Sequence, residues 1–182
     1  MSKGTDLGLL ALRLGFGAAA AAHGAQKLFG WFGGHGLEGT GGFFESVGFT
    51  PGKRNATLAG LAEGAGGAAV ALGLATGPAG AALTGNMVVA SSLHGFEKFF
   101  ASDGGPEVPL MYAVVGSALT LAGGGRYSLD HVTAHVLDKP WMRLVAYAGA
   151  ASAATAIIVA RRQELANRPE PQPVTVDEDP EA

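Results

Sequence analysis

The chain has 182 residues, room for one domain, with 15% charged and 48% hydrophobic residues. It is too apolar for a disordered chain, and its glycines follow no three-residue period, which excludes a collagen-like rod. With no cysteine, disulfides, thiolate nucleophiles and Cys-ligated metal centres are excluded too.

The formal net charge of −3 is uneven, because Glu170, Asp177, Glu178, Asp179 and Glu181 lie at the C-terminal end. The remainder is slightly basic, and nothing in it points to nucleic acid. Charge position says more. Residues 7–26 hold only Arg13, residues 56–96 only Glu63, and residues 108–125 and 144–160 hold none. A hydrocarbon core about 30 Å thick needs about 20 apolar helical residues. The pattern predicts an all-α integral membrane protein: a four-helix transmembrane bundle with a fifth, C-terminal transmembrane helix.

The first helix is expected over about 7–27. Arg13 breaks the apolar run a signal peptide would need, so the helix is read as retained. Residues 28–55 are Gly-rich and aromatic, too broken to span. Phe43, Phe44 and Val47 have helical spacing, with Thr40 as a cap, which predicts a short interfacial or re-entrant helix. The second helix is expected over 55–75, a turn at Gly77-Pro78, the third over 79–99 and the fourth over 108–123. Ser128 caps a short apolar helix over 129–137 lying on the membrane. The fifth runs over 141–159 and stops at Arg161 and Arg162. The domain reading is 1–130 for the four-helix unit, 131–162 for the interfacial and fifth helices, and 163–182 for a disordered, acidic, Pro-rich tail.

Five crossings put the termini on opposite sides. Side A carries the N-terminus, and side B carries the 1–2 and 3–4 connections and the C-terminus. Basic residues favour side B by seven to four, which places side B, and the C-terminus, in the cytoplasm. Gly60, Gly64 and Ala68 form a small-residue stripe suited to close helix packing.

Ionisable groups inside a membrane need a partner or a use. By depth, His23, Lys27, Glu63, His94, Glu97 and Lys98 converge toward side B. Eight of the nine phenylalanines lie at or beyond that end, with Trp31, and form either an aromatic lid or an interfacial belt. Glu63, His23 and His94 are proton-relay candidates. Lys27, Trp31, Phe44, Glu97 and Lys98 are candidates for holding a cofactor. A buried Glu–His or Glu–Lys pair that only fixes packing is an equal reading of Glu63. Arg13 and Asn86 are read as structural polar residues that meet each other, or as Arg13 on a carbonyl. His131 and His135 are four apart but lack a third ligand, so no metal is predicted.

Several segments resemble the DoxX family. They are Arg13-Leu14 with His23-Gly24, the string Gln26 to Gly34, Phe43 to Phe49, Leu61-Ala62-Glu63 with Gly66-Gly67, Gly95 to Phe100, and Gly125 to Asp130. The likeness covers roughly residues 7–130. It implies a four-helix membrane bundle and kinship with DoxD, a subunit of thiosulfate:quinone oxidoreductase. It further implies quinone-linked sulfur or thiol redox in the plasma membrane, with menaquinone as the quinone. Actinobacterial relatives of this kind are associated with a superoxide dismutase and a thiosulfate sulfurtransferase. The resulting expectation is a multi-pass redox-complex subunit, catalytic or not, in contact with the lipid bilayer and with self-association open. Two other readings stay open: a scaffold recruiting soluble partners, and a small-solute transporter or channel.

Overall fold

The computed structural model describes residues 2–95 and 97–169. Every regular element among them is helical. The order is α1 (Lys3–Phe29), a 3-10 turn (Trp31–Gly33), α2 (Gly36–Ser46), α3 (Gly52–Leu72), α4 (Thr76–Ser91), a 3-10 turn (Ala101–Asp103), α5 (Glu107–Ala122), α6 (Leu129–Val132) and α7 (Pro140–Ala166). Helices α1 and α7 are long and apolar enough to cross a membrane. Helix α5 is apolar but has 16 residues, about 24 Å at 1.5 Å per residue.

Helix α1 packs along α3, and α4 sits among α3, α5 and α7. The α1–α3 contact is close because both faces lack side chains. A Cβ on Gly17 would collide with the α3 backbone at Gly67 and Ala71, and one on Gly24 with the backbone at Gly60 and Gly64. The stripe on α3 is therefore Gly60, Gly64 and Gly67; Ala68, expected as its third member, is exposed. A small apolar core of Phe16, Ala20, Val70, Ala79, Leu83 and Leu119 lies where α1, α3, α4 and α5 meet.

The five long helices match the five expected, with shifted ends. Gly73 adopts a left-handed conformation (φ 69°) and ends α3, and Ala75 (φ 47°) follows. The turn thus precedes Gly77-Pro78, and Pro78 lies in the first turn of α4, where a missing N–H costs nothing. Helix α4 stops at Ser91, well short of residue 99. The hydroxyls of Ser91 and Ser92 turn back onto the carbonyls of Met87 and Val89, a competition with helix continuation that serines favour. Thr40 lies buried inside α2 instead of capping it.

Ser128 caps α6 by accepting from the His131 N–H at 3.1 Å. That helix lasts one turn, because Ala134 and His135 take positive φ values of 52° and 56°. Helix α7 continues through Arg161 and Arg162 to Ala166. Arginine is a good helix former, and Arg161 finds carbonyl partners on a neighbouring element. The expected tail boundary at residue 163 therefore falls within a helix, and residues 170–182 lie outside the described residues.

Candidate functional site

Glu63 lies about 16 Å along α3 from Gly52, at 1.5 Å per residue, near the middle of the helix and deeper than the side-B rim. It is 4% exposed. Lys27 Nζ donates to its Oε2 at 2.5 Å, and Asn86 Nδ2 donates to its Oε1 at 2.9 Å. Each carboxylate oxygen thus has one donor, from α1 and from α4. Helical side chains lean toward their own N-terminus. Lys27, near the C-terminal end of α1, therefore points back into the bundle toward Glu63. The glycine contact at Gly24, one turn earlier, brings the two helices close enough for that reach.

The cluster faces two cavities. The larger, about 620 Å³, is a cleft between α3 and α7 floored by α4, from Pro78 to Leu93, with Phe43, Phe44 and Phe49 at its side-B end. Its α7 wall is Ala146, Gly149, Ala150, Ala153, Ala154 and Ile157. Its polar side chains are Lys27, Asn55, Glu63 and Asn86. The smaller, about 210 Å³, is lined by His23, His94 and Tyr112 together with Lys27 and Glu63.

Several expected site residues stand elsewhere. Glu97 and Lys98 sit on an exposed segment beyond α4 and line neither cavity, because α4 ends before them. Trp31 is 60% exposed and also lines neither. It stacks near Phe29 and Phe32, which are exposed as well. Phe99 and Phe100 are exposed, and Phe96 lies outside the described residues. Among the described residues of the expected lid, Phe43, Phe44 and Phe49 line the cavity; the other described aromatics of that end face outward, as an interfacial belt does. His23 is exposed and meets Gln26 Oε1 at 3.0 Å, while His94 Nδ1 lies 3.2 Å from the Ala90 carbonyl.

Of the two contacts expected for Arg13, the one with Asn86 is absent, since Asn86 binds Glu63, and the one with backbone carbonyls is present. Arg13 is fully buried and donates to the carbonyls of Val70 at 3.4 Å, Ala71 at 3.3 Å and Tyr127 at 2.5 Å. Depths counted from the two helix starts do not compare, because α1 runs past the end of α3: Arg13, ten residues into α1, is level with Val70 and Ala71 at the end of α3, whereas Asn86 lies ten residues, about 15 Å, beyond the start of α4.

Around Arg13 lies a second polar network not anticipated from the sequence. Buried Asp130 accepts the N–H groups of Ala75 and Thr76, at 2.7 and 2.9 Å, and the Thr76 hydroxyl at 2.7 Å. Buried Asp138 accepts the Gly77 N–H at 3.0 Å and pairs with Arg143 through two bonds of 2.9 and 2.7 Å. Two carboxylates thus satisfy the orphan N–H groups at the start of α4 and suit the positive end of its dipole. Arg143 also donates to the Leu121 carbonyl at 3.1 Å, near the end of α5. Asp6 accepts the Arg126 N–H at 3.0 Å. The sequence signal was the Gly125–Asp130 string, whose one glycine, Gly125, takes a positive φ (72°) and shapes the loop that carries Asp130 to α4. His131 and His135 pack ring to ring, and no group of three or more metal-ligating side chains occurs among the described residues.

The family model described as DoxX matches residues 8–95, the stretch from α1 past the end of α4. It contains Lys27, Glu63, Asn86, His23 and His94, while α5, α6 and α7 lie beyond it. No curated protein and no solved structure matches the chain.

Proposed function

The chain belongs to the DoxX family of membrane proteins, and from that premise we propose that it is a quinone-binding subunit of a redox complex in the plasma membrane. The observation that supports this reading is the Lys27–Glu63–Asn86 cluster, a buried carboxylate between two hydrogen-bond donors, at the wall of a long apolar cavity. A quinone fits that donor set. Its polyprenyl chain matches a cleft that follows α4 for about 22 Å, at 1.5 Å per residue. Its ring oxygens match Lys27 Nζ and Asn86 Nδ2 as donors.

When bound, a quinone takes up two electrons and two protons. The chain's own part is positional. Lys27 and Asn86 orient the ring oxygens, and Glu63 holds a proton next to them. The apolar walls from α3, α4 and α7 exclude water from the chain of the ligand, and Phe44 and Phe49 close the cavity at side B. In this reading all five long helices cross the bilayer, with the C-terminus in the cytoplasm. Menaquinone is the quinone. A soluble partner supplies the electrons, with a superoxide dismutase and a thiosulfate sulfurtransferase as companions in sulfur, thiol or oxidative-stress metabolism.

The test is mass spectrometry of lipid-soluble molecules that copurify in mild detergent, for the wild type and for Glu63→Gln and Lys27→Met. A quinone at one per chain, lost in folded variants, supports the reading. Folded wild-type protein that carries no quinone, and takes none up from added menaquinone, overturns it in favour of the scaffold reading.

A further inference from the structure

The Lys27–Glu63 pair is reached from two sides. Both residues, with Ala90, line the large cavity and the small one. The two cavities differ in what they offer a guest. Away from the pair, the large one has only Asn55 and Asn86 as polar side chains. The small one adds His23, His94 and Tyr112 to the pair.

A water takes about 30 Å³ of liquid and needs two to four polar partners. The small cavity, at about 210 Å³, has both the room and the partners for several. Its wall extends from His94, beyond the end of α4, to Glu63, buried in the middle of α3. His23 and Val108 on that wall are exposed, so it opens outward on the side-B half of the bundle.

We propose that the small cavity is a water-filled path from side B to the Lys27–Glu63 pair, separate from the apolar cleft that leads to the same pair. The titratable groups facing the path are His23 and Lys27 from α1, Glu63 from α3, His94 after α4, and Tyr112 from α5. Along it a hydronium ion gives its proton to a Glu63 oxygen and leaves as water, and the reverse step returns the proton. The pair is then a partition: an apolar ligand meets it on one side, and the aqueous phase on the other. The identity of that ligand rests on the quinone reading, but the water path does not, and its test needs no quinone.

The absence of cysteine makes the test direct. Ala90→Cys puts a single thiol on the shared wall of protein held in lipid nanodiscs. A charged, water-soluble thiol reagent should label it. Val108→Trp, at the exposed rim of the small cavity, should slow labelling about tenfold, since access would then need local opening. Ala153→Trp, in the α7 wall of the cleft, should leave the rate unchanged. Slowing by Ala153→Trp alone, slowing by both, or no labelling of folded protein would each overturn the proposal. Infrared spectroscopy after a drop in pH supplies the proton readout. A carboxylic acid band that is missing in Glu63→Gln should appear later in Val108→Trp than in wild type. Equal rates would sink the proton half.

Discussion

The two ends of this bundle use buried charge in opposite ways. At side A, Arg13, Asp130 and Asp138 bind mainly backbone groups: carbonyls at the end of α3, N–H groups at the start of α4. Those bonds fix where helices begin and end, and none of the three residues lines either of the two cavities. In the bundle's other half, Glu63 binds two side chains, Lys27 and Asn86, and all three border open space. A charge that satisfies backbone is held by the fold, whereas a charge held only by other side chains is free to exchange partners with a guest. The contrast separates polar residues that hold helix ends from polar residues that border a cavity better than burial does, since Arg13 and Glu63 are both buried.

If that contrast holds, the largest effect on stability comes from side A. Asp130→Ala leaves three donors at the start of α4 without an acceptor and Arg13 without its nearby anion. The expected loss is about 3–5 kcal/mol, the range for breaking a buried, hydrogen-bonded charge. Thermal unfolding in detergent measures it, and a loss under about 1 kcal/mol would mean that the network is not what sets the helix ends. Next is Arg13→Met, which keeps the volume but frees three carbonyls. It should cost about 2–3 kcal/mol and leave any copurifying ligand in the folded fraction. Ligand loss there, at unchanged fold, would break the division between the two ends.

How much of this was legible follows from the same distinction. The five long helices and the Ser128 cap could be read because apolar runs, glycine signals and capping residues are local. The pairing of Glu63 with a lysine was one of two readings, and depth arithmetic brought Lys27 and Glu63 toward one end of the bundle. The arithmetic failed where helix ends moved. Ser91 and Ser92 end α4 early, which left Glu97 and Lys98 outside the site, and α1 runs past the end of α3, which puts Arg13 level with Val70 and Ala71 and away from Asn86. Asp130 and Asp138 were hidden for another reason. Each binds backbone N–H groups more than fifty residues away, and a backbone donor has no sequence identity to recognise.

The pair in the site gives a smaller, more diagnostic effect. Lys27→Met strands the Glu63 carboxylate with Asn86 as its remaining donor, and because Lys27 is partly exposed the cost is about 2 kcal/mol. Adding Glu63→Gln removes the stranded charge, so the double variant should recover to within about 1 kcal/mol of wild type. A double-mutant cycle on unfolding checks this. Additive losses would mean that Lys27 and Glu63 do not interact and that the partition between the cavities is not a pair.

The smallest effect tests whether α7, outside the family-matched segment, belongs to the site. Arg161 donates to the Val47 carbonyl at 2.8 Å and the Ser92 carbonyl at 3.1 Å, and its guanidinium lies 5.3 Å from the Phe49 ring centre. It therefore ties α7 to the ends of α2 and α4, next to the aromatics that close the large cavity. The group is partly exposed, so solvent screening keeps Arg161→Ala to about 1 kcal/mol or less. The location of the change matters more than its size. Hydrogen exchange should quicken over the last turn of α2 and around Phe49, while α5 and the start of α4 stay protected. Quickening spread evenly over the bundle would show that α7 supports the whole fold, and that its alanine wall borders the cavity without helping to close it.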